Sequence, residues 1–571
     1  MYVLSSDAKN ILLVLVKKVK PQQNDLHGSM KISDYPQYCD WLTYTFMRLP
    51  FVSLDTDWWK HSVIYEIYTP SFKDSNGDGY GDLKGVTSKL DYLKDLGVDV
   101  IWLTPFFPSP MLDTGYDVSD YVGINHLFGT MADFDNLMKQ LKRRGMKMII
   151  DLVINHSSDQ HKWFQKSIKR IKPYTDYYVW KDPKGYNETG HPIPPNNWLS
   201  FFETSAWEWN EKRRQFYYHV FLPQQPDLNL WNRRVKNEMI KIIKFWSDKG
   251  VAGIRLDATN WLLEGPSYDD EHPIDESKKG QTVSYFQINH TNIINTEGTF
   301  EYICELRESV DKISRRAKNY ERIIIPEAWG RLKTYQRLYG NETRQGVHFP
   351  FNFLFLMSPD YMNSTGLNQL IDDWINITPK RSAPNWVIES HDKPRTSSIL
   401  TREYVHIWLT LISLLPGITV LYYGQEIEMQ AGIVRPHQLR IGSEYSRSPM
   451  QWDESSNAGF STNQKTWIPI NPNYWRLNLK QQQNNPNSTY NFLKDLLKLK
   501  KTETIKYGDF KKYIFSDWLF AFTRSYDPFE DYIVVINLGT EKETISLQSR
   551  IVDLPSNLTV CLASRNSKIN K

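Results

Sequence analysis

At 571 residues the chain is too long for one simple domain; at ~100–200 residues each, two to four are expected. Hydrophobic residues at 40% and charged residues at 23% are an ordinary globular balance, with enough apolar material for a large core. A net charge of +4 and the lack of a dense Lys/Arg block argue against nucleic-acid binding. No run approaches the ~18 apolar residues of a membrane span. Cys39, Cys304 and Cys561 lie too far apart for a zinc or redox motif.

Residues 1–56 lack sustained periodicity and read as a leader or a poorly ordered extension without an assignable role. From Trp58 a rhythm sets in. Val63 to Tyr68 reads as a strand, followed by a helical stripe of Val86, Leu90 and Leu93 closed by Gly97, and by a second strand, Val98 to Leu103. Phe134, Leu137 and Leu141 line the next helix, Gly145 ends it, and Met146 to Leu152 is a third strand. Later, Val235, Met239, Ile242, Ile243 and Trp246 form a stripe, Gly250 ends it, and Val251 to Leu256 is a strand. A stripe that packs on a sheet, a glycine that accepts the left-handed helix end, and a strand apolar on both faces predict parallel α/β architecture. Ile323 to Ile325, Val347 to Phe353, Trp386 to Ser390 and Ile418 to Tyr422 bring the strand candidates to eight, as a barrel requires.

From about Asn155 to Leu222 the rhythm breaks into a segment rich in Pro, Asn, Trp and Tyr, expected to fold over the barrel mouth. Past Tyr490, short runs at Trp518 to Thr523, Tyr532 to Leu538 and Glu543 to Leu547 predict an antiparallel domain. The division predicted is therefore an extension at 1–56, a (β/α)8 TIM barrel at 57–154 and 223–489, an inserted subdomain after the third strand at 155–222, and a C-terminal antiparallel β domain at 490–571.

Three carboxylates end apolar runs: Asp257 in Gly-Ile-Arg-Leu-Asp, Glu327 in Ile-Ile-Ile-Pro-Glu, and Asp392 in Ile-Glu-Ser-His-Asp. Parallel barrels gather catalytic groups at the C-terminal ends of their strands. Retaining cleavage of a glycosidic bond needs one carboxylate as nucleophile and one carboxylic acid as proton donor. Arg255, two residues before Asp257, shares its face of the strand and can hold it ionised. Partial burial after four apolar residues would keep Glu327 protonated, as a general acid requires. Asn155-His156 and His391 can donate to sugar hydroxyls. Taken singly, each has a plainer reading: a structural Arg–Asp pair, a strand end meeting water, a capping histidine. Asp151, His156, His391 and Asp392 could also form a hydrolytic metal site, but they lack a tight ligand spacing.

These segments together resemble the α-amylase superfamily, glycoside hydrolase family thirteen, and within it the α-glucosidases of the oligo-1,6-glucosidase and insect-maltase type. The motifs that carry the resemblance are Asp151-Leu-Val-Ile-Asn155-His156, Gly253-Ile-Arg255-Leu-Asp257-Ala258, Pro326-Glu327-Ala-Trp, His391-Asp392-Lys-Pro-Arg395, and Gln225-Pro-Asp-Leu-Asn229 in the insert, in the family's order from about Asp57 to about Asn566. The resemblance implies that Asp257 is the nucleophile, Glu327 the acid/base and Asp392 the transition-state stabiliser. It implies that Arg255, His156 and His391 bind the cleaved sugar, that Tyr116 stacks on it, and that Asp117 binds its hydroxyls while paired with Arg447. It further implies an α-glucoside substrate trimmed one glucose at a time, and Ala258 leans toward α-1,4 bonds and sucrose. A non-catalytic amino-acid-transporter heavy chain and a transglucosylase share this likeness as alternatives.

Asp74-Ser-Asn76-Gly-Asp78-Gly-Tyr80-Gly-Asp82 resembles a calcium loop, with oxygen ligands at alternating positions, though Gly85 stands where an EF-hand would close with Glu. The plainer reading is a polar turn. Sequons begin at Asn187, Asn289, Asn341, Asn363, Asn376, Asn487 and Asn557, with one more at Asn155 inside a motif, and suggest a secreted glycoprotein although no clean signal is legible. Two departures from the family stand out: Glu389-Ser390 replaces its usual Gly-Asn, and the C-terminal domain is expected to lack one or two edge strands.

Overall fold

In a computed structural model, residues 13–18, 54–278, 280–281, 283–357, 362–400, 402–434, 442–551, 554 and 558–564 are described. A parallel sheet of seven strands runs in the order Ile323–Pro326, Gly253–Leu256, Lys147–Leu152, Val100–Leu103, Val63–Ile67, Ile418–Tyr422, Asn385–Trp386. The glycines predicted to end helices do so: Gly97, Gly145 and Gly250 have φ of 106°, 65° and 98°. The helices Met131–Arg143 and Arg233–Asp248 bury the predicted stripes.

Val347 to Phe353 does not form the regular eighth strand. Phe353 already starts the Phe353–Leu356 helix, and Pro350 has no N–H to offer a ladder. The segment still occupies the closing station. His348 N donates to the Ile324 carbonyl at 3.1 Å on one side, and Asn352 N donates to Asn385 Oδ1 at 2.9 Å on the other. Phe349 and Phe351 share one buried cluster with Ile64, Trp102, Ile149, Ile325 and Val420, so the ring is filled by side chains in the manner of a packed barrel. Gly253 shows how tight the filling is. A Cβ there would stand 2.6 Å from Ile323 Cγ1 and 3.0 Å from Ile149 Cγ1.

The insert leaves the Lys147–Leu152 strand and forms a small antiparallel sheet in the order Trp180–Lys181, Gln215–Tyr218, Trp207–Asn210. Its aromatic core is continuous with Ala258, Trp261 and Tyr285, which follow the Gly253–Leu256 strand. This contact fixes the insert over the strand end that carries Asp257.

The antiparallel C-terminal sheet differs from expectation in three places. Its order is Asp509–Ile514, Leu519–Ser525, Asp531–Asn537, Leu13–Lys18, Leu558–Ala563. Glu543 to Leu547 is not a strand; Leu547 begins a short 3-10 turn instead. Asp509–Ile514 was hidden by its charged residues, as suits a strand at the edge of the sheet. The third difference lies within residues 1–56. Leu13–Lys18 pairs antiparallel with Asp531–Asn537 on one side and Leu558–Ala563 on the other, so this stretch is a central strand of the sheet rather than a leader.

Candidate active site

Arg255 is the hub, and the strand register explains why. Gly253–Leu256 lies between Lys147–Leu152 and Ile323–Pro326, with Arg255 level with Asp151 on one side and Ile325 on the other. Its Nη1 donates to Asp151 Oδ1 at 2.7 Å and to Asp257 Oδ1 at 2.6 Å, and its Nη2 lies 2.7 Å from Glu327 Oε2. The side chains of Arg255 and Asp151 are sealed at 1% and 0% exposure, whereas those of Asp257 and Glu327 keep 12% and that of Asp392 34%. The three carboxylates expected from the sequence to carry chemistry thus keep some solvent exposure, whereas Arg255 and Asp151 do not.

Three carboxyls around one guanidinium cannot all ionise cheaply. Burial pushes the Asp257 carboxyl upward, Arg255 opposes the rise, and Glu327 and Asp151 add to it. Burial likewise takes Asp151 up to about 6 against the pull of Arg255. Asp257 and Asp151 therefore hold a proton more tightly than isolated carboxylates would. Ala258, directly after Asp257, adopts a left-handed backbone, φ 51° and ψ 37°, which turns its N–H onto Glu327 Oε2 at 3.2 Å. For a residue other than glycine this conformation costs on the order of 1–3 kcal/mol. Trp329 Nε1 donates to the other oxygen, Oε1, at 3.0 Å. The Trp329 ring packs on Phe353 at 4.4 Å under the Lys393 ammonium at 4.6 Å.

A second network surrounds Asp392. Arg447 Nη2 donates to its Oδ1 at 2.7 Å, and His391 Nε2 lies 3.1 Å from its Oδ2. Burial raises the Asp392 carboxyl, but His391, Arg447 and Arg255 outweigh it and hold the group below the ordinary carboxylate range. Tyr116 stacks on the His391 ring at 5.6 Å and donates its hydroxyl to Asp151 Oδ2 at 3.1 Å, joining the two networks.

The expected Asp117–Arg447 pair is not formed. Asp117 is fully buried and accepts from Ser109 Oγ, Leu112 N and Asp113 N at 2.7, 2.9 and 3.2 Å, so its carboxylate ties its own loop. The acid that faces the site is Asp113, three residues before Tyr116. It accepts from Gln225 Nε2 at 2.8 Å and feels the Arg447 charge. Burial, opposed by Arg447 and Gln225, pushes it up to about 7. The sequence carried a signal for this choice: Leu112-Asp113-Thr-Gly115 is a turn, and Gly115 at φ 111° swings the chain between the two acids.

His156 joins through the insert. Gln225 Nε2 also lies 3.1 Å from His156 Nε2, and Leu228 N donates to the Asn155 carbonyl at 2.8 Å. Burial drives His156 down to about 3, so the ring is neutral and accepts from Gln225. Asp113, and Glu66 with its Oε1 2.6 Å from His391 Nδ1, are site neighbours that the sequence reading did not single out, whereas Gln225 and Trp329 stood inside its motifs without a role.

The Asp74 loop lies apart from these groups. It is a run of Asx turns: Asp74 Oδ1 accepts from Asn76 N at 3.0 Å, Asn76 Oδ1 from Asp78 N at 3.0 Å, and Asp78 Oδ1 from Tyr80 N at 2.8 Å. Gly77 and Gly79 take left-handed φ of 78° and 94°, which returns every second residue to the same side. Asp74 is engaged through both oxygens, Oδ1 accepting also from Gly77 N and Oδ2 from Gly79 N and Ser461 Oγ. Asp82 is partly engaged, accepting from Ser75 and capping the next helix through Gly85 N. Among the described residues, the acidic/His group whose ligand atoms all lie within 4.8 Å is a different one, Asp311, Glu321 and His348. There His348 Nδ1 accepts from Ile324 N, and Arg307 pairs with both acids, which marks an internal ion-pair network.

Barrel strand ends that present carboxylates around a buried arginine, under an inserted subdomain, define a barrel site equipped for acid–base chemistry. Residues 66–508 match the alpha amylase catalytic domain. Over 515 residues the chain is 39% identical to an alpha-glucosidase of Culex pipiens, covering 90% of this chain and 87% of that one. It is 37% identical over 518 residues to a human amino acid transporter heavy chain, covering 90% and 75%. The crystal structure of an alpha-glucosyl transfer enzyme superposes with a TM-score of 0.75 at 32% identity, covering 84% of this chain and 91% of that one. The chain belongs to the alpha-amylase family.

Proposed function

We propose that this protein is a retaining α-glucosidase that releases terminal glucose from maltose, sucrose and maltooligosaccharides. The supporting observation is that one guanidinium, Arg255, spans Asp257 and Glu327. A single bridging group favours the closer carboxylate spacing, ~5–5.5 Å, used when one acid is the nucleophile and the other the proton donor. Asp257 attacks the anomeric carbon, and Glu327 protonates the departing oxygen. A covalent glucosyl ester forms on Asp257, and Glu327 then deprotonates the water that releases glucose. Asp392, held ionised by Arg447 and His391, stabilises the positive charge that develops on the ring. Tyr116, His156, His391, Asp113 and Arg447 bind the glucose, and Asp113 replaces Asp117 in that role.

The same covalent ester can pass to a sugar hydroxyl instead of water. The structural neighbour named as a glucosyl transfer enzyme supports transglucosylation as a second outcome of the same site. A purely non-catalytic role, as in transporter heavy chains, is disfavoured by the complete carboxylate set. Asp74, Asn76, Asp78 and Asp82 with the Tyr80 carbonyl would hold a structural Ca²⁺. Secretion as a glycoprotein is supported by the exposure of Asn187, Asn289, Asn341, Asn363, Asn376 and Asn487, whereas Asn155 is buried.

The test is hydrolysis of maltose, sucrose, isomaltose and p-nitrophenyl α-glucoside by the wild type and by Asp257→Asn, with the first-formed glucose anomer read by NMR. The reading expects α-glucose from the wild type and loss of turnover in the variant. β-Glucose appearing first, or near wild-type activity in Asp257→Asn, would overturn it.

A further inference from the structure

Glu66 sits in the first barrel strand, fully buried, and the chemistry so far has not used it. Its Oε1 lies 2.6 Å from His391 Nδ1, and among the described residues its Oε2 has no hydrogen-bond partner. A buried carboxylate with a single partner depends on that partner to balance its charge. The donors and acceptors around His391 can be counted. Nδ1 faces a carboxylate and therefore has to be an N–H. Nε2 faces Asp392 Oδ2 at 3.1 Å and the Tyr116 hydroxyl oxygen at 2.8 Å. The Tyr116 hydroxyl also lies 3.1 Å from Asp151 Oδ2, so its proton has two partners to choose from and does not fix the tautomer. The Asp392 carboxylate does: facing Nε2, it needs a donor there, which makes Nε2 an N–H as well.

Resting on the glucosidase reading, we propose that Glu66 is a positioning residue that keeps His391 doubly protonated, a cation donating from both ring nitrogens at the edge of the glucose site. Glu66 touches no substrate and acts through the imidazole. Its negative charge behind the ring offsets the cation that would otherwise oppose the positive transition state. The groups that face the His391 ring are Glu66 from the first strand, Tyr68 just after it, Tyr116, Asp151, Asp392 and Arg447. Burial disfavours the charge and so does Arg447, but Asp392 and Glu66 prevail, and the imidazole sits above its ordinary value.

The sign follows. A histidine raised in this way keeps its proton to higher pH than an ordinary imidazole, and one deprived of Glu66 releases it at lower pH than the wild type does. Glu66→Gln keeps the shape and removes the charge. The inhibition constant for glucose, whose binding needs no acid catalysis, is measured from pH 5 to 8 for the wild type and the variant, with kcat/KM for maltose alongside. The expected result is a variant deficit that grows with pH and reaches about tenfold or more in glucose affinity by pH 7.5. Parallel profiles, offset by a constant factor, would reduce Glu66 to packing and overturn the proposal.

A second measurement does not depend on the variant's folding. In ¹⁵N-histidine-labelled wild type at pH 7, with the His391 resonance assigned through His391→Asn, both ring nitrogens are expected in the protonated range. A neutral tautomer there would also overturn the proposal. Absence of any glucoside hydrolysis by the wild type would instead remove the functional reading and leave the NMR result to judge Glu66 by itself.

Discussion

Arg447 and Asp392, 55 positions apart, meet through a 2.7 Å ion pair, and the Arg447 Nε–H also donates to the carbonyl of His391 at 3.1 Å. One guanidinium therefore fixes both the side chain and the backbone of the His391-Asp392 turn. Arg447 itself is 1% exposed and held by Tyr68 and Thr114. Arg447→Lys keeps the charge but not the fork. It is expected to lower kcat/KM for maltose by about tenfold to a hundredfold, since charge-assisted hydrogen bonds are worth ~1.5–3 kcal/mol each. Steady-state kinetics with unchanged circular dichroism checks this.

Asp113 and Asp117 are expected to fail in different ways. Asp117→Asn loses acceptor capacity for Ser109, Leu112 and Asp113, so its melting temperature falls by the equivalent of ~1–3 kcal/mol. Asp113→Asn removes a charge that faces Arg447 and Gln225. Its main effect is a KM for maltose raised about tenfold. Because burial raises Asp113 to about 7, its contribution to wild-type stability is complete below ~3.8 and is lost as pH rises through about 7. Asp113→Asn therefore gains stability relative to wild type across that window, measured by thermal melts at pH 4.5 and 7.5.

Acid weakens the insert by the opposite sign. Burial lowers His156 and His161 to about 3 and His219 to about 4. Groups depressed in the folded state contribute stability above ~6.5 that is lost as pH falls toward those values, at about 1.4 kcal/mol per pH unit for each. The urea midpoint is expected to drop between pH 6.5 and 4.5. His219→Asn should shallow the slope; an unchanged slope would refute the assignment of His219 as a buried neutral ring.

The Asp74 loop is tested by chelation. EDTA is expected to lower the melting temperature and Ca²⁺ to restore it, while Asp78→Ala makes the protein indifferent to both. Differential scanning fluorimetry reads each arm.

Leu13–Lys18 is paired on both sides, so proline anywhere within it removes a ladder hydrogen bond. Val16→Pro is expected to destabilise by ~1–3 kcal/mol and to promote self-association, because it frees the edges of Asp531–Asn537 and Leu558–Ala563. Light scattering and thermal melts check this. A variant as stable and monodisperse as the wild type would contradict the pairing.

Much of this fold is legible in the amino-acid sequence. Apolar runs marked the barrel strands, three of them directly after the helix-ending Gly97, Gly145 and Gly250, because a strand covered on both faces has to be apolar on both. Asp257, Glu327 and Asp392 could be placed because parallel strands deliver their C-terminal residues to one rim. Val347 to Phe353 misled because an apolar run does not reveal that Pro350 breaks its ladder. Asp509–Ile514 and Leu13–Lys18 were missed because charge masks an edge strand and sequence distance masks a long-range pairing.

The sequence by itself determined which residues could carry charge to the mouth of a barrel, since periodicity and strand polarity are local properties of the chain. Only the tertiary structure decided which of them meet: Asp113 rather than Asp117 facing Arg447, Gln225 reaching His156 from the insert, and Glu66 lying behind His391. Those choices turn on a left-handed glycine, a register and a burial depth, and each is set by packing between segments hundreds of residues apart.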